Sequence, residues 1–334
     1  MAKLIPFSQH QKISCPVCGY NCNENVFSRY SSTEVAAHIC PPGRNADRNL
    51  RILKNIEGLW NGTESYLVKC NNCTFLFGFP YVGGNEEFYS ILHEQYGYPK
   101  WRIEYTLAIN NVLSNLQRGN ILDIGAGTGM FLRSLGSNWQ KFAVEGSDTT
   151  RALLSEAGID TYTDIETLTL AMPKKISVVT IFQVLEHLSN FKAVIKNIHE
   201  LLIPGGYLII SVPDGQDMLL QEEILGCPDF PPNHINKWTL KSLSMVLEEN
   251  GFFITRSMKT PGSLNELKGA IHVKLIERAA KNKRSFAAKV YTIKKKNVRV
   301  VFLSILAVFE FFNLLPHVKQ LYKGRTLFVI AQSL

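Results

Sequence analysis

The 334-residue sequence has no uncharged apolar run of about 18 residues, which is the length that a helix needs to cross a bilayer. Its first residues, MAKLIPFSQHQKIS, also lack the apolar core of a signal peptide. The sequence contains neither an internal repeat nor a low-complexity tract. These absences disfavour a secreted, membrane-spanning or repeat protein, and they predict a cytoplasmic globular protein with one or two domains.

Cysteine is nearly absent from most of the chain, since Cys227 is the only one after residue 73. The other six of the seven cysteines lie within the first 73 residues. In a reducing compartment, cysteines clustered in this way indicate a metal site rather than disulfides. Residues 1–80 are therefore predicted to form a small cysteine-rich module in front of a larger domain.

Two CxxC pairs dominate this module, Cys15 with Cys18 and Cys70 with Cys73. Four thiolates can hold one tetrahedral zinc ion, and such a site is structural because it has no open position for catalysis. The gap between the pairs is longer than in compact zinc ribbons, so one ligand has alternatives. These are Cys22, His38 and Cys40. Reduced structural cysteines without metal are a second interpretation.

Acidic residues are scarce in one segment of the chain. From Leu264 to Arg325 there are 14 Lys and Arg against 3 Asp and Glu, a net charge of +11 within a chain whose formal charge is +8. The rest of the chain therefore carries −3. The basic character belongs to this segment, and an acidic partner is expected to meet it there.

Within this segment, the basic stretch that ends at Lys296 precedes a strongly apolar run, Val300–Leu315, which Glu310 and Asn313 interrupt. Its length and polar end predict that it does not span a bilayer. One interpretation is a helical cap over the active site or a dimer interface. Another is a peripheral contact of residues 281–315 with the anionic inner face of a membrane. A nucleic-acid-binding surface is a third interpretation. It is disfavoured because the phenylalanines of the segment are separate from its lysines, unlike in a surface that stacks on single strands.

From Asn120 onward, short apolar runs such as NILDIG, VVTIFQ and YLIISVP alternate with amphipathic stretches. This alternation predicts an α/β fold, a doubly wound and mostly parallel sheet covered by helices on both faces. The predicted regions are the cysteine module at 1–80, the α/β domain at 81–263 with lead-in helices at 85–118 and its core from 120, a basic and apolar helical insertion at 264–324, and a final strand of the sheet at 325–334.

The segment ILDIGAGTG, Ile121–Gly129, reads as a buried strand that runs into a glycine-rich turn. Glycines there let the backbone pass close to a ligand. Twenty residues after Gly125 stands Glu145, at the predicted end of the next strand, where a carboxylate can accept hydrogen bonds from two ribose hydroxyls. Together they indicate an adenosine cofactor, either NAD or S-adenosylmethionine, whereas the glycines alone could form a plain tight turn.

DIGAGTG resembles the first motif of class I S-adenosylmethionine-dependent methyltransferases of the VLEHL type. IFQVLEH at 181–187 and LIPGGY at 202–207 resemble that family's fourth-strand end and its Pro-Gly-Gly turn. The resemblance implies a Rossmann-like seven-stranded sheet with S-adenosylmethionine as the cofactor. The residues that it places at the cofactor are Asp123, Gly125, Ala126, Gly127, Gly129, Glu145, Asp164, Ile165, Phe182 and Gln183. A polar turn is the alternative for Asp164, and core packing is the alternative for Ile165 and Phe182.

Where the methyl acceptor is a hydroxyl group, a base must take its proton. His187 follows the predicted fourth strand, at the edge where ligands of such folds bind, and an imidazole with an ordinary pKa near 6.5 suits this role. His234 lies in the loop PPNHINKWT, before a helix whose N-cap is predicted at Thr239. Both are candidate bases. The alternatives are a structural or cofactor-carboxylate contact for His187 and no chemical role for His234.

A cysteine module in front of the α/β domain resembles the layout of a bacterial group of methyltransferases, several of which act on sugars or cell-surface glycans. The resemblance implies O-methylation of a saccharide, a lipid-linked glycan or a related small molecule, with a structural zinc ion. RNA methylation is the alternative that the basic segment motivates. A non-catalytic adaptor, whose zinc module binds a partner, is a third interpretation.

Overall fold

The computed structural model describes residues 12–43, 45–94, 101–226, 229–282 and 284–334. Most of the N-terminal segment that was assessed for a signal peptide lies outside the described residues, as do Cys227 and Lys283.

Among the described residues, the strands β1 to β11 in chain order are Val26–Ser31, Glu64–Lys69, Leu76–Phe79, Gly119–Ile124, Trp139–Val144, Asp160–Tyr162, Ile176–Phe182, Leu202–Pro213, Asn236–Lys237, Phe252–Lys259 and Thr326–Ser333. The helices α1 to α15 in the same order are Ser32–Ile39, Ala46–Trp60, Glu86–His93, Ile103–Ala108, Ser114–Leu116, Met130–Arg133, Asp148–Glu156, Ile165–Ala171, Phe191–Leu201, Gly215–Leu225, Leu240–Glu249, Leu264–Lys281, Phe286–Tyr291, Lys296–Leu314 and Val318–Tyr322. A π-helical segment, Ile109–Leu113, joins α4 to α5, and the 3₁₀ segments are Leu185–His187 and Leu315–His317.

The larger sheet has seven strands in the order β10-β11-β8-β7-β4-β5-β6. Strand β4 pairs in parallel with β5 and with β7, and the outer pairs β5–β6 and β7–β8 are also parallel. Ile124 lies opposite Val144 on one side and Ile181 on the other. The carboxyl ends of these three central strands therefore meet at one edge, and the predicted doubly wound α/β fold is confirmed.

The central strands are apolar on both faces, as a parallel sheet covered on two sides requires. Leu122 belongs to the core on one face, together with residues of α9 and α11 such as Ile195 and Leu243. Ile121 belongs to the core on the other face, with Val112 and Phe131. Alternate residues of β4 thus point to opposite layers.

The helix caps explain where several elements begin. Thr239 is the N-cap of α11, as predicted: its side chain accepts a hydrogen bond from the amide of Ser242, and the Ser242 hydroxyl accepts one from the amide of Thr239. The cysteine module contains the helices α1 and α2. The sequence pattern did not predict β6 or α10, because β6 has only three residues and α10 has almost no amphipathic pattern.

A smaller antiparallel sheet has the order β1-β2-β3-β9. Its first three strands come from the cysteine module, and the fourth, Asn236–Lys237, comes from the distant segment between α10 and α11. Phe77 of β3 lies opposite Asn236, and Leu76 lies opposite Lys237. The module and that segment therefore share one sheet.

Contacts divide the chain into two compact units. Unit 1 comprises 1–215, 230–258 and 327–334, and it contains both sheets. Unit 2 comprises 216–229 and 259–326, and it is helical. Its core is formed by Leu225, Leu267, Ala270, Leu314 and Leu321.

In the part of the chain that the structure describes, Lys296–Tyr322 is the one helical stretch long and apolar enough to cross a membrane by length and composition alone. Its most apolar window has a mean hydropathy of 2.1, and 11% of that window is buried. The sequence-based prediction underestimated the length of this helix, because it required a run without charged residues. Helix α14 begins at Lys296, four residues before Val300. Length and composition do not distinguish a spanning helix from one that lies on a surface.

Candidate functional site

The glycine loop at the end of β4 adopts a backbone conformation that only glycine accepts without strain. Gly125, Gly127 and Gly129 have φ angles of 72°, 53° and 71°. A β-carbon on Gly125 would lie 2.4 Å from Cγ2 of Val184, and one on Gly129 would lie 2.3 Å from Cδ2 of Leu154. The loop thus needs glycine for its own packing, and the resulting open backbone remains accessible to a ligand.

Glu145 stands at the end of β5 and faces this loop. One carboxylate oxygen accepts a hydrogen bond from the amide of Gly127 at 2.9 Å, and the other accepts one from the amide of Ser147 at 3.2 Å. The two residues that were predicted to bind one cofactor are therefore in direct contact. A carboxylate held in this way retains lone pairs for the hydroxyls of a ribose.

Asp123 lies beneath the loop and is buried, with an exposed fraction of 3%. The Thr180 hydroxyl donates a hydrogen bond of 2.7 Å to its carboxylate. Burial raises the pKa of Asp123 to about 7, the charge of Glu145 adds to this effect, and the hydrogen bond from Thr180 and the charge of Arg102 oppose it. Arg102, at the N-terminus of α4, was not singled out in the sequence because it belongs to no motif. Its buried Nε has no hydrogen-bond partner among the described residues.

Phe182 and Gln183 end β7 beside the loop. Phe182 is buried, and its ring centroid lies 5.3 Å from that of Tyr105 and 5.2 Å from that of Phe131. The amide of Gln183 donates to the carbonyl of Ser211 at 2.8 Å, and its φ angle is 57°. Phe182 therefore has core contacts, and Gln183 is turned out of the strand at the edge where the loop lies.

Asp164, Ile165 and Ala126 have structural contacts. Asp164 is the N-cap of α8 and accepts a hydrogen bond of 2.8 Å from the amide of Thr167, which lowers the pKa of its carboxyl. Ile165 is buried in the core, and Ala126 packs partly against Phe131 and its neighbours. The predicted contacts of these residues with the cofactor stay predictions.

The two candidate bases, 47 positions apart in sequence, lie side by side. The ring centroids of His187 and His234 are 4.6 Å apart. Glu186, which is 1% exposed, places a carboxylate oxygen 4.0 Å from Nε2 of His187. The ligand atoms of these three residues lie within 4.8 Å of one another, a spacing that also suits a divalent cation.

Hydrogen bonds on the other side of His187 fix its orientation. The carbonyl of Asn233 lies 2.7 Å from Nδ1, and the Tyr89 hydroxyl lies 3.1 Å from the same atom. Because a carbonyl oxygen only accepts, the neutral ring carries its proton on Nδ1 and keeps a lone pair on Nε2. Tyr89 and Asn233 were missed in the sequence, because no spacing rule connects them with His187.

The loop that carries His234 is bonded both to the segment that follows β7 and to the end of the smaller sheet. The Asn236 side-chain amide donates to the carbonyls of Leu185 at 3.0 Å and Leu188 at 2.8 Å, on either side of His187. The Tyr81 hydroxyl donates to Asn236 at 2.7 Å, and the amide of Gly78 donates to the carbonyl of Ile235 at 2.8 Å. These bonds hold the two histidines together.

The two cysteine pairs converge as predicted. Sγ of Cys15 lies 3.5 Å from that of Cys73, Sγ of Cys18 lies 3.5 Å from that of Cys70, and all four lie within 4.8 Å of one another. A tetrahedral zinc ion with thiolate ligands requires sulfur separations of about 3.8 Å. The Cys73 thiol lowers the pKa of Cys15 to about 5, and the amides of Val17 and Cys18 also face the Cys15 sulfur. The donor set fits zinc.

The alternative ligands have other contacts. The Cys22 thiol donates to the carbonyl of Tyr20 at 3.4 Å, and burial raises its pKa to about 12. The Cys40 thiol donates to the carbonyl of Asn45 at 3.6 Å. The His38 ring packs against Phe230 with centroids 5.1 Å apart. Within the described residues, the four-thiol group includes none of these three side chains.

Residues 98–257 match a family model described as a methyltransferase domain. The matched residues include the glycine loop, Glu145 and both histidines. Among curated proteins, a polyketide synthase-nonribosomal peptide synthetase of Aspergillus clavatus is 26% identical over 196 residues. The aligned part is 50% of this chain, but it spans only 5% of that protein's length.

Among solved structures, a SAM-dependent methyltransferase from Archaeoglobus fulgidus is 16% identical with a TM-score of 0.43, over 74% of this chain and 100% of that chain. An S-adenosylmethionine-dependent methyltransferase from Mesorhizobium loti is 13% identical with a TM-score of 0.40, over 64% and 91%. Phosphoethanolamine N-methyltransferase 2 from Haemonchus contortus is 17% identical with a TM-score of 0.39, over 69% and 56%.

Proposed function

We propose that the chain is an S-adenosylmethionine-dependent methyltransferase that methylates a hydroxyl group of a saccharide, a lipid-linked glycan or a related small molecule. The match of residues 98–257 to a methyltransferase domain supports the methyl-transfer part of this proposal. The observation that carries this proposal is the group formed by Glu186, His187 and His234 at the carboxyl edge of the sheet. Transfer to a hydroxyl needs a base there, whereas transfer to an amine that is already unprotonated does not.

The cofactor residues are those that surround the glycine loop. When bound, S-adenosylmethionine supplies a methyl group on an electrophilic sulfonium. The Glu145 carboxylate would accept hydrogen bonds from the ribose hydroxyls, and the loop backbone would contact the methionine part. Asp123 would be available to the ammonium group. Arg102, whose charge lowers the pKa of Asp123 and whose Nε is buried, would be available to the carboxylate.

His187 is placed to accept the proton of the acceptor hydroxyl on Nε2. Asn233 and Tyr89 hold the ring through Nδ1, and the Glu186 carboxylate stabilises the positive charge that the ring acquires. His234, 4.6 Å away between centroids, is placed to contact the same acceptor or to relay the proton. Residues that hold the acceptor hydroxyl in a fixed position near the bound cofactor would contribute further to the rate enhancement.

A polar site of this kind suits an acceptor with several hydroxyl groups. Tyr89, Asn233, His187 and His234 offer donors and acceptors within one small region. A saccharide can hydrogen-bond to several of them at once, which would fix the hydroxyl that is methylated. The substrate class is thus proposed from the chemistry of the site and from the layout of the chain.

We also propose that Cys15, Cys18, Cys70 and Cys73 hold a structural zinc ion. The convergence of the four sulfurs and the amides that face them support this assignment. Such a site would stabilise the smaller sheet, to which the His234 loop contributes β9.

An acceptor screen with methyl-labelled S-adenosylmethionine tests the proposed function. Saccharides, lipid-linked glycans and RNA are offered separately, and the methylated atom is identified by mass spectrometry and NMR. We expect label on a glycan oxygen. Label on nitrogen, or label in RNA alone, would contradict the proposal.

A cofactor-site variant provides the control for this screen. Glu145→Gln is expected to weaken S-adenosylmethionine binding by about 10- to 100-fold, because a neutral amide is a poorer acceptor for two hydroxyls. Glu200→Gln, on the exposed face of α9 beside Lys196, should leave the affinity unchanged.

A further inference from the structure

One face of α14 is apolar and exposed along the whole helix. Its members recur every three or four residues, so they form a single stripe. Each is between 36% and 63% exposed, and at one edge the ring centroid of Phe286 of α13 lies 6.0 Å from that of Phe302. They are Val298, Val301, Phe302, Ile305, Val308, Phe309, Phe312 and Leu315.

The opposite face of α14 holds the helix on unit 2. Leu314 is buried with Leu267, Ala270 and Leu321. Glu310 is 1% exposed, and its carboxylate lies 3.1 Å from Arg278 of α12. The helix is therefore anchored through one side, and the exposed stripe is the side left over for a partner.

Positive charge flanks this stripe at both ends. Lys294, Lys295 and Lys296 are exposed at the start of α14, and Lys319 and Lys323 are exposed just beyond its end. The acidic residues do not cancel this charge, because the segment from Leu264 to Arg325 has 14 Lys and Arg against 3 Asp and Glu. Two of the three, Glu310 and Glu266, also lie against arginines, 3.1 Å from Arg278 and 3.5 Å from Arg325. An apolar stripe between two groups of lysines is complementary to a surface with an apolar interior and an anionic rim.

We propose that α14 docks the enzyme on an anionic membrane, lying in the plane of the interface. The stripe would face the acyl chains, and the lysines would contact anionic headgroups. This inference does not depend on the identity of the methyl acceptor.

Two other arrangements are disfavoured by the same contacts. A spanning helix would have to separate Glu310 from Arg278 and place that carboxylate in hydrocarbon. A second copy packed on the stripe by two-fold symmetry would bring lysines of one copy near lysines of the other, where like charges repel.

Vesicle binding of the purified 334-residue chain tests the proposal. We expect binding to phosphatidylcholine vesicles that contain phosphatidylglycerol and little binding to phosphatidylcholine alone. Replacing Lys294, Lys295 and Lys296 by Gln should weaken anionic binding by about tenfold or more. Equal binding to both vesicles, or no effect of the lysine substitutions, would overturn the proposal.

The stripe itself is tested with a triple variant, Val301→Ser with Phe309→Ser and Phe312→Ser. It should abolish vesicle binding while S-adenosylmethionine affinity, measured as a check of folding, is retained. The matched control is Leu170→Ser with Phe253→Ser, two residues of unit 1 that are 87% and 60% exposed. It should bind vesicles like the unaltered chain.

Two further outcomes identify the competing arrangements. Resistance of the bound protein to alkaline extraction, with protection of α14 from protease, would show a spanning helix and overturn the surface assignment. A dimer in light scattering that the triple variant converts to a monomer, without vesicle binding by either, would assign the stripe to a second copy.

Discussion

Phe77 of the cysteine module lies opposite Asn236 in the smaller sheet, so the strand that follows the second CxxC pair also holds the loop that carries His234. The Thr74 hydroxyl, directly after that pair, lies 2.7 Å from the hydroxyl of Thr239, the N-cap of α11. The Lys241 ammonium donates to the carbonyl of Asn72 at 2.5 Å. The cysteine module thus contacts the segment after His234 in two places, at β9 and at the start of α11.

This attachment predicts that disrupting the proposed zinc site reduces turnover more than it weakens cofactor binding. Cys73→Ser should remove zinc, about one ion per chain in the unaltered protein, and reduce kcat, because β3 would no longer hold β9. S-adenosylmethionine affinity should change little, since the glycine loop and Glu145 lie on the larger sheet. Metal content is measured by mass spectrometry and affinity by calorimetry.

The control for this prediction is Cys40→Ser, which removes a buried thiol outside the four-cysteine group. It should retain zinc. Full metal content in Cys73→Ser would contradict the proposed ligand set.

The raised pKa of Asp123 predicts how the free energy of unfolding depends on pH. Burial raises its pKa from 3.8 to about 7, so the folded state favours the protonated form. This preference contributes to the free energy of unfolding, and the contribution is fully present below about pH 4. As the pH rises through about 7, the free energy of unfolding falls by up to ~4 kcal/mol. In Asp123→Asn, which can still accept the hydrogen bond from Thr180, this loss should be absent.

The measurement is chemical denaturation of both proteins from pH 4 to pH 8 without cofactor. The free energy of unfolding of the unaltered protein should fall relative to that of Asp123→Asn across this range. A constant difference between the two would show that Asp123 stays ionised throughout.

Gly125 is predicted to tolerate no side chain. Gly125→Ala combines a φ angle of 72° with a β-carbon 2.4 Å from Cγ2 of Val184. We expect a loss of about 1 to 3 kcal/mol in the free energy of unfolding, together with weaker cofactor binding. Adding Val184→Ala should recover the part of this stability loss that comes from the steric clash. The part that comes from the unfavourable backbone conformation should remain.

Gly146→Ala is the matched control, because an added β-carbon there would meet nothing within 4 Å. Its stability should stay close to that of the unaltered protein. An equally stable Gly125→Ala would refute the packing role of this glycine.

The sequence predicted the parts of the site that consist of consecutive residues. The loop from Gly125 to Gly129 and the N-cap at Thr239 follow from local backbone rules, so they were recognisable without tertiary information. The grouping of the four thiols could be predicted because the two CxxC pairs have the residue type and spacing that a zinc site requires. The α/β class followed from alternating strand and helix patterns.

The surroundings of His187 could not be predicted in the same way. Tyr89 comes from α3 and Asn233 from the loop before β9, and only the folded chain brings both to one ring nitrogen. Similarly, Arg102 acts on Asp123 through space and belongs to no motif. The exposure of α14 also depended on which of its faces packs on α12, which the apolar run alone does not determine.

The most direct test of the account is the turnover of His187→Gln with an acceptor found in the screen. We predict a fall in kcat of about 10²- to 10⁴-fold with unchanged S-adenosylmethionine affinity, because the proton acceptor is lost and the cofactor contacts remain. His272→Gln, an exposed histidine of α12, serves as the control and should retain full kcat. Unchanged kcat in His187→Gln would contradict the assignment of this ring as the base.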